Sequence, residues 1–249
     1  MTDPSLPVLG AIAVTFFAAG IVKGVTGMGL PTVAMGVLGA LISPLAAASL
    51  LIVPSFVTNA WQLLAGPALG PLVRRLWPMM LAICAGTMLG ATWLANAEAG
   101  ATTAALGAAL VAYAGYTLLA RQIRVPARLE PWLSPPVGAV TGVVTGATGV
   151  FVIPAVPYLQ SLGLPRDDLV QALGLSFTVS TLALAAGLGA HGAFEPQALW
   201  LSALALGPAL AGMHAGQALR GRLSPATFRR LFLACLLLLG AEMSLRPFV

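Results

Sequence analysis

Apolar residues run along this chain in long stretches that glycine-rich or polar positions interrupt. Ten such segments can be drawn, at about residues 6–22, 25–42, 44–65, 77–97, 100–120, 135–149, 150–164, 169–190, 199–220 and 227–246. A helix that crosses a bilayer needs about 20 apolar residues, and most of the segments approach that length. The pattern therefore predicts an all-α polytopic membrane protein.

Three of these segments, 6–22, 135–149 and 150–164, are short. A glycine turn with almost no loop joins segment 6–22 to 25–42, and another joins 135–149 to 150–164. Each pair is either a hairpin of two full spans or a hairpin that re-enters the membrane from one side. Both choices return the chain to the side where the pair began, so the remaining topology is the same.

Composition supports a lipid environment. The chain has 249 residues, of which 59% are hydrophobic and 8% are charged, whereas soluble domains carry about 25% charged residues. This length gives a single membrane transport domain over residues 1–249, with no room for a separate soluble domain. The net charge of +5 does not indicate nucleic-acid binding, because the arginines lie in short loops between apolar segments.

The arginines also predict an orientation, because cytoplasmic loops carry an excess of Lys and Arg. If the N-terminus is periplasmic, the cytoplasmic loops hold Arg74, Arg75, Arg121, Arg124, Arg128, Arg166, Arg220, Arg222, Arg229 and Arg230. The opposite loops then hold Asp3, Glu98, Glu195 and Arg246. Counting each glycine-broken pair as one span gives eight spans and moves the Arg220–Arg230 cluster to the other side, which fits the rule less well.

The chain also repeats itself. The stretch "GIVKGVTGMG" (Gly20–Gly29) aligns with "GVVTGATGVF" (Gly142–Phe151), and "GTMLG" (Gly86–Gly90) aligns with "GMHAG" (Gly212–Gly216). Matches in the same order predict two homologous halves, at about 6–121 and 135–249, with a cytoplasmic linker at about 121–134. With about five segments in each half, the second half is inverted relative to the first. A glycine-broken hairpin begins each half, as in secondary transporters built from inverted repeats.

The chain resembles the sulfite exporter TauE/SafE family, also called the toluene sulfonate uptake permease family, over essentially its whole length. The stretches that carry the resemblance are "AAGIVKGVTGMGLP" (Ala18–Pro31), "GAVTGVVTGATGVFVIPAVPYLQSLG" (Gly138–Gly163) and "LRGRLSPATFRRLFLACLLLLG" (Leu219–Gly240). The resemblance implies transport of small sulfur-containing anions, such as sulfite, sulfoacetate or other organosulfonates, across the bacterial inner membrane.

The glycine turns are candidate anion-binding elements. A break in a membrane helix survives only where it is buried in protein or faces a water-filled cavity, and a helix N-terminus attracts anions. The candidates are Gly24, Thr26, Gly27 and Gly29 in the first half, with Thr145, Gly146, Thr148 and Gly149 in the second. The alternative for the glycines is close helix packing, because Gly20/Gly24, Gly86/Gly90, Gly142/Gly146 and Gly212/Gly216 are all small-xxx-small pairs.

Lys23 is the only lysine in the chain, and a lysine at the centre of a bilayer costs at least about 2.5 kcal/mol. One interpretation is a positive counter-charge for an anion. The other is a lysine at a hairpin tip that extends its ammonium group to the cytoplasmic interface. The repeat places Thr145 at the equivalent position, so the second half has no matching charge.

Polar residues also line one face of two later segments. Ser55, Asn59 and Gln62 recur at helical spacing, and Ser176 and Ser180 do so in the equivalent segment. They either line a cavity or form hydrogen bonds between helices. His214 is a candidate proton site, and no carboxylate lies in the middle of a segment to suggest a coupling ion.

These features predict a secondary transporter or facilitator for a small anion, without metal or cofactor. An anion channel and a transporter of carboxylate-type anions remain alternatives, and a homodimer is left open. An enzyme is not predicted, because the sequence lacks a GxSxG or HExxH motif, paired carboxylates and a nucleotide-binding loop.

Overall fold

The computed structural model describes residues 6–119, 123–193, 196–219 and 224–246. These residues form ten helices: α1 (Leu6–Thr26), α2 (Leu30–Leu41), α3 (Pro44–Leu64), α4 (Leu69–Asn96), α5 (Ala99–Leu119), α6 (Glu130–Thr148), α7 (Ala155–Ser161), α8 (Arg166–Ala190), α9 (Pro196–Leu219) and α10 (Pro225–Leu245). Each predicted segment corresponds to one helix, so the all-α prediction is confirmed. Of the charges used to orient the chain, Asp3, Arg121, Glu195, Arg220 and Arg222 lie outside the described residues.

The helices differ in length in a way that bears on the glycine-broken pairs. Helices α1, α3, α4, α5, α8 and α9 are long and apolar enough to cross a membrane. Helix α2 has 12 residues and α7 has 7, which correspond to about 18 Å and about 10 Å at 1.5 Å per residue. Neither helix reaches across a hydrocarbon core of about 30 Å. Each pair therefore joins one long helix to one short helix.

The first break lies one turn later than the sequence predicts. Helix α1 continues through Lys23 and ends at Thr26, and the turn that follows contains Gly27 (φ +80°) and Gly29 (φ +99°). Backbone with positive φ favours glycine, because glycine has no Cβ to clash with the carbonyl oxygen. The predicted end at residue 22 is therefore wrong, and Lys23 lies in a helix rather than at a hairpin tip.

Glycines bring two pairs of parallel helices into backbone contact. Helix α1 runs along α9, and a Cβ added at Gly20 would lie 2.2 Å from the carbonyl oxygen of Ala209. Helix α6 runs along α4 in the same way, and a Cβ at Gly146 would lie 2.3 Å from the carbonyl oxygen of Thr87. Only glycine permits such an approach, so the packing interpretation of the small-xxx-small pairs is confirmed. This pairing has the arrangement expected if α1 corresponds to α6 and α4 to α9, but the inversion of the halves stays a prediction.

Helices α3 and α8 cross in antiparallel directions at the centre of the bundle. One side chain fixes the end of α3 to α8: Gln171 Nε2 donates to the carbonyl oxygens of Leu63 (2.7 Å) and Gly66 (3.0 Å). Gln171 Oε1 accepts from the backbone N–H of Ala68 at 2.7 Å. The turn between α3 and α4 is therefore held rigidly against α8.

A proline in the middle of α3 is compensated by α9. Pro54 has no N–H, so the carbonyl oxygen of Leu50 lacks its usual helical donor. The hydroxyl of Ser202, which is fully buried, donates to that oxygen at 2.8 Å and accepts from the N–H of Val53 at 3.0 Å. Ser202 thereby connects α9 to the irregular part of α3.

An ion pair joins the start of α6 to α4. Arg75 donates through two guanidinium nitrogens to the two carboxylate oxygens of Glu130, both at 2.6 Å. The carboxylate of Glu130 is largely buried, and the Tyr158 hydroxyl donates to the Glu130 carbonyl oxygen at 3.2 Å. Helix α6 begins at Glu130, so the predicted linker of about 121–134 extends one turn too far.

Candidate functional site

Lys23 is buried in the bundle. Its side chain lies in the last turn of α1 and is 4% exposed. The ammonium group donates to Asn59 Oδ1 and to Thr58 Oγ1 (3.1 Å), both on α3. Both partners lie inside the protein, so the ammonium group does not extend outward into solvent. Among the described residues, no carboxylate forms an ion pair with it.

The hydrogen bonds of Lys23 continue across α3 to α8. Asn59 Nδ2 donates to Ser55 Oγ at 2.9 Å, and Ser55 Oγ lies 3.1 Å from Thr181 Oγ1. The Thr181 hydroxyl already donates to the carbonyl oxygen of Phe177 at 2.7 Å, so Ser55 is the donor in its contact with Thr181. A directed chain of hydrogen bonds therefore runs from α1 through α3 to α8, and all of its polar side chains are buried.

Two members of this network, Thr58 and Thr181, are not among the site residues that the sequence predicts. Thr58 precedes Asn59 and borders the predicted polar face, so its position gives a weak signal. Thr181 follows the predicted Ser180, but it does not lie on the helix face that Ser176 and Ser180 share at four-residue spacing. Its role follows only from the crossing of α3 and α8.

A cavity of about 310 Å³ adjoins the Lys23 ammonium. It lies between the C-terminal ends of α1, α3 and α9 and the N-terminal end of α8. Its polar side chains are Lys23, Thr58, Gln62, Asp167 and Gln217, and its other lining residues are Gly24, Gly27, Trp61, Ala65, Gly66, Pro67, Val170 and Met213. The lining thus contains five polar side chains, of which one is a cation and one is a carboxylate.

Some of the site residues predicted in the first half line the cavity, and the others hold Lys23 or form the glycine turn. Lys23, Gly24, Gly27 and Gln62 line it, and Gln62 Nε2 also donates to the carbonyl oxygen of Val170 at 2.7 Å. Asn59 and Ser55 hold Lys23 from behind through the hydrogen-bond network. Thr26 and Gly29 shape the turn: the Thr26 hydroxyl donates to the Val22 carbonyl oxygen at 2.8 Å.

The equivalent turn in the second half does not line this cavity. Thr148 Oγ1 donates to the Val144 carbonyl oxygen at 2.6 Å and accepts from the N–H of Val150 at 3.3 Å. Thr145 is fully buried, and its hydroxyl lies 3.4 Å from the Val150 carbonyl oxygen. A Cβ at Gly149, which has φ +68°, would lie 2.7 Å from the Met35 side chain. These residues serve the turn and its packing.

Ser176 and Ser180 on α8 have a different environment. Both are fully buried, and neither hydroxyl has a hydrogen-bond partner in the part of the chain that the structure describes. The hydroxyls of Thr32 on α2 and Thr87 on α4 share this property. A buried polar group without a partner costs about 1–3 kcal/mol, and ordered water commonly satisfies such groups in proteins.

His214 does not line the cavity that contains Lys23. It lies on an exposed face of α9, whereas its neighbours Met213 and Gln217 line the cavity. No group of three or more His, Cys, Asp or Glu residues within the described ranges is placed to hold a metal ion. The polar chemistry next to the cavity therefore centres on Lys23.

Comparison with known proteins gives one match. The family model described as "Sulfite exporter TauE/SafE" matches residues 12–243, from the first turns of α1 to the last turn of α10. No curated protein and no solved structure matches the chain.

Proposed function

We propose that this chain, which belongs to the sulfite exporter TauE/SafE family of membrane transporters, moves a small sulfur-containing anion and binds it in the cavity next to Lys23. The observation that carries the proposal is the buried ammonium group, whose hydrogen-bond partners in the described structure are neutral oxygens. An uncompensated charge is costly to bury in a membrane protein. An anion in the cavity would supply the missing counter-charge.

Several groups around the cavity suit the oxygens of a sulfite or sulfonate group. Lys23 has three N–H donors, of which the structure uses two in bonds to Asn59 and Thr58. The side-chain amides of Gln62 and Gln217 line the same cavity and carry N–H donors. Asn59 acts as a positioning residue, because it fixes the ammonium without reaching the cavity itself.

We propose that the anion's path also involves the second half of the chain, where it passes Ser176 and Ser180. Their buried, unpartnered hydroxyls would donate to an anion that moves past the crossing of α3 and α8. This role predicts that Ser176→Ala combined with Ser180→Ala slows transport while Lys23-dependent binding persists. An unchanged transport rate in that double variant would remove these serines from the path. His214, which is exposed, is not part of it.

Transport by Lys23 variants tests the central proposal. Purified protein in proteoliposomes should take up labelled sulfite or organosulfonate, and Lys23→Met should reduce uptake to the level of empty liposomes. Methionine keeps the length of the side chain and removes the charge. Arg74→Met is the matched control, because it removes one positive charge from an exposed position near the same end of the bundle. Thermal unfolding of each variant shows whether the protein remains folded.

The proposal fails if Lys23→Met transports at the wild-type rate, or if both variants lose transport equally. Thermal-shift measurements with sulfite, thiosulfate, sulfoacetate, taurine and carboxylates extend the test to the substrate class. A larger shift with carboxylates would favour a carboxylate transporter. A steady current at fixed potential would favour a channel over a secondary transporter.

We also propose that the protein is a multi-pass protein of the bacterial inner membrane with a periplasmic N-terminus. The described arginines that the positive-inside rule assigns to the cytoplasmic side are exposed, as contact with water requires; they are Arg74, Arg75, Arg124, Arg128, Arg166, Arg229 and Arg230. In a variant without Cys84 and Cys235, Glu98→Cys should react with a membrane-impermeant maleimide in intact cells. Arg128→Cys should react only after permeabilisation, and the reverse pattern would refute the orientation.

A further inference from the structure

We infer that Asp167 makes the Lys23 cavity prefer anions with one negative charge over dianions. The inference rests on the proposed function, since it concerns the anion that Lys23 would bind. It assigns a specificity-determining role to a residue that the sequence pattern does not single out.

The charges around the cavity are few and opposite. Lys23 is 4% exposed and forms a buried part of the lining, while Asp167 lies in the first turn of α8 and is exposed to solvent. Among the described residues that line the cavity, these two are the charged ones. The lining therefore carries no net formal charge, although Asp167 forms no ion pair with Lys23 and the ammonium group keeps no direct counter-charge in the described structure.

Simple electrostatics then separates monoanions from dianions. The Coulomb energy between two groups scales with the product of their charges. A monoanion beside Lys23 neutralises the ammonium group and is repelled once by Asp167, whereas a dianion doubles both its attraction to Lys23 and its repulsion from Asp167. A dianion leaves one negative charge without a cation in the lining, in the same cavity as Asp167. That second charge is both repelled and partly removed from water, which is unfavourable.

Neither size nor hydrogen bonding produces the same discrimination. The cavity of about 310 Å³ is much larger than the share of liquid volume that a water molecule takes, about 30 Å³, so it accommodates small ions of either charge. The amide groups of Gln62 and Gln217 are neutral and bind oxygens of both classes. Among the groups that line the cavity, Asp167 is therefore the one whose charge opposes a second negative charge.

The chemistry of the candidate substrates makes this preference informative. Hydrogensulfite and simple alkanesulfonates carry one negative charge. Sulfite, sulfate and sulfoacetate, which bears a sulfonate and a carboxylate, carry two. The first group should bind more tightly than the second, although all of them contain the same kind of oxyanion.

Binding of a matched pair of ligands tests the inference. Methanesulfonate and methanedisulfonate present the same sulfonate group with one and two charges. Their dissociation constants should be measured by isothermal titration calorimetry on the full-length protein in detergent at low ionic strength. The wild type should bind methanesulfonate more tightly, and Asp167→Asn should narrow the ratio by about threefold, the size expected of an exposed charge.

Asp168→Asn is the control. Asp168 lies next to Asp167 in the same turn of α8 but does not line the cavity, so its loss should change the ratio less than the loss of Asp167. The effect of Asp167→Asn on the ratio should also shrink at high salt. Dissolved ions weaken the interaction between exposed charges, largely so beyond about 8 Å at physiological ionic strength, and this distance shortens as salt is added. This salt dependence is not expected of a change in cavity shape.

The outcomes separate this inference from the proposed function. If methanesulfonate binds in a Lys23-dependent way but Asp167→Asn keeps the wild-type ratio, the selectivity role is wrong and the anion site stands. The selectivity role is also wrong if Asp168→Asn changes the ratio as much as Asp167→Asn. If methanesulfonate does not bind the wild type, or binds Lys23→Met equally well, the proposed function fails and the inference fails with it.

Discussion

The contact of Ser202 with the irregular part of α3 leads to a quantitative prediction. Replacing Ser202 by alanine leaves the carbonyl oxygen of Leu50 without a donor, because Pro54 cannot supply one. Ser202→Ala should therefore lower the free energy of unfolding. If Pro54 is first replaced by alanine, the new N–H of residue 54 can donate to Leu50, and the same serine substitution should cost less.

The magnitude follows from the bonds that are lost. The Ser202 hydroxyl makes one buried hydrogen bond, at 2.8 Å, and one partly buried hydrogen bond, at 3.0 Å. A neutral hydrogen bond contributes about 1 kcal/mol net, and a buried group left unpaired costs about 1–3 kcal/mol. Hydrogen bonds between membrane helices are often weaker, at about 0.6 kcal/mol on average. We expect Ser202→Ala to cost about 1–2 kcal/mol, and the double-mutant cycle to give a coupling of about 1 kcal/mol.

Equilibrium unfolding in mixed micelles measures this coupling. The protein is titrated with sodium dodecyl sulfate, and the fluorescence of its five tryptophans reports unfolding. The four proteins of the cycle are the wild type, Ser202→Ala, Pro54→Ala and the double variant. If Ser202→Ala costs the same with proline and with alanine at position 54, Ser202 does not compensate for the proline and the prediction is refuted.

Two further predictions concern packing and charge. Gly146→Ala should lower the melting temperature markedly, because its Cβ would lie 2.3 Å from the Thr87 carbonyl oxygen and overpacking costs about 1–3 kcal/mol. Gly115→Ala is the control, because its Cβ meets no neighbouring atom within 4 Å, and it should leave the melting temperature unchanged. An equal loss in the two variants would contradict close packing of α4 and α6. Arg75→Lys should unfold at a lower detergent concentration than the wild type, because a lysine cannot reproduce the two-pronged contact with Glu130. Full stability of that variant would show that the paired geometry contributes nothing.

The arrangement of the helices is largely predictable from the sequence. Long apolar segments separated by charged loops give one helix each, because a segment in lipid must satisfy its own backbone hydrogen bonds. The end of α1 is predicted wrongly for an instructive reason. The glycine-rich pattern suggests a break that includes Gly24, but Gly24, like Gly20, lies in a regular helix and serves its contact with α9. Glycine spacing alone does not distinguish these two uses.

The candidate site is less predictable, because its contacts join residues that are distant in the chain. Lys23 and Asn59 both stand out as polar residues in apolar segments, yet nothing in their spacing shows that they form a hydrogen bond. Asp167 looks like an ordinary loop residue until the ends of α1, α3 and α8 are brought together. Its place in the cavity depends on tertiary packing, which hydropathy does not encode.

The parallel contact of α1 with α9 has a bearing on how the protein is made. During synthesis α1 leaves the ribosome long before α9. The face of α1 that carries Gly20 and Gly24 therefore contacts lipid or the insertion machinery until α9 is made. Helix α6 meets the opposite situation, because α4 is already in the membrane when α6 arrives. Each of these pairs joins a helix from one half to a helix from the other. The unit that folds is therefore the whole chain, and halves made as separate polypeptides should assemble only when they share a membrane.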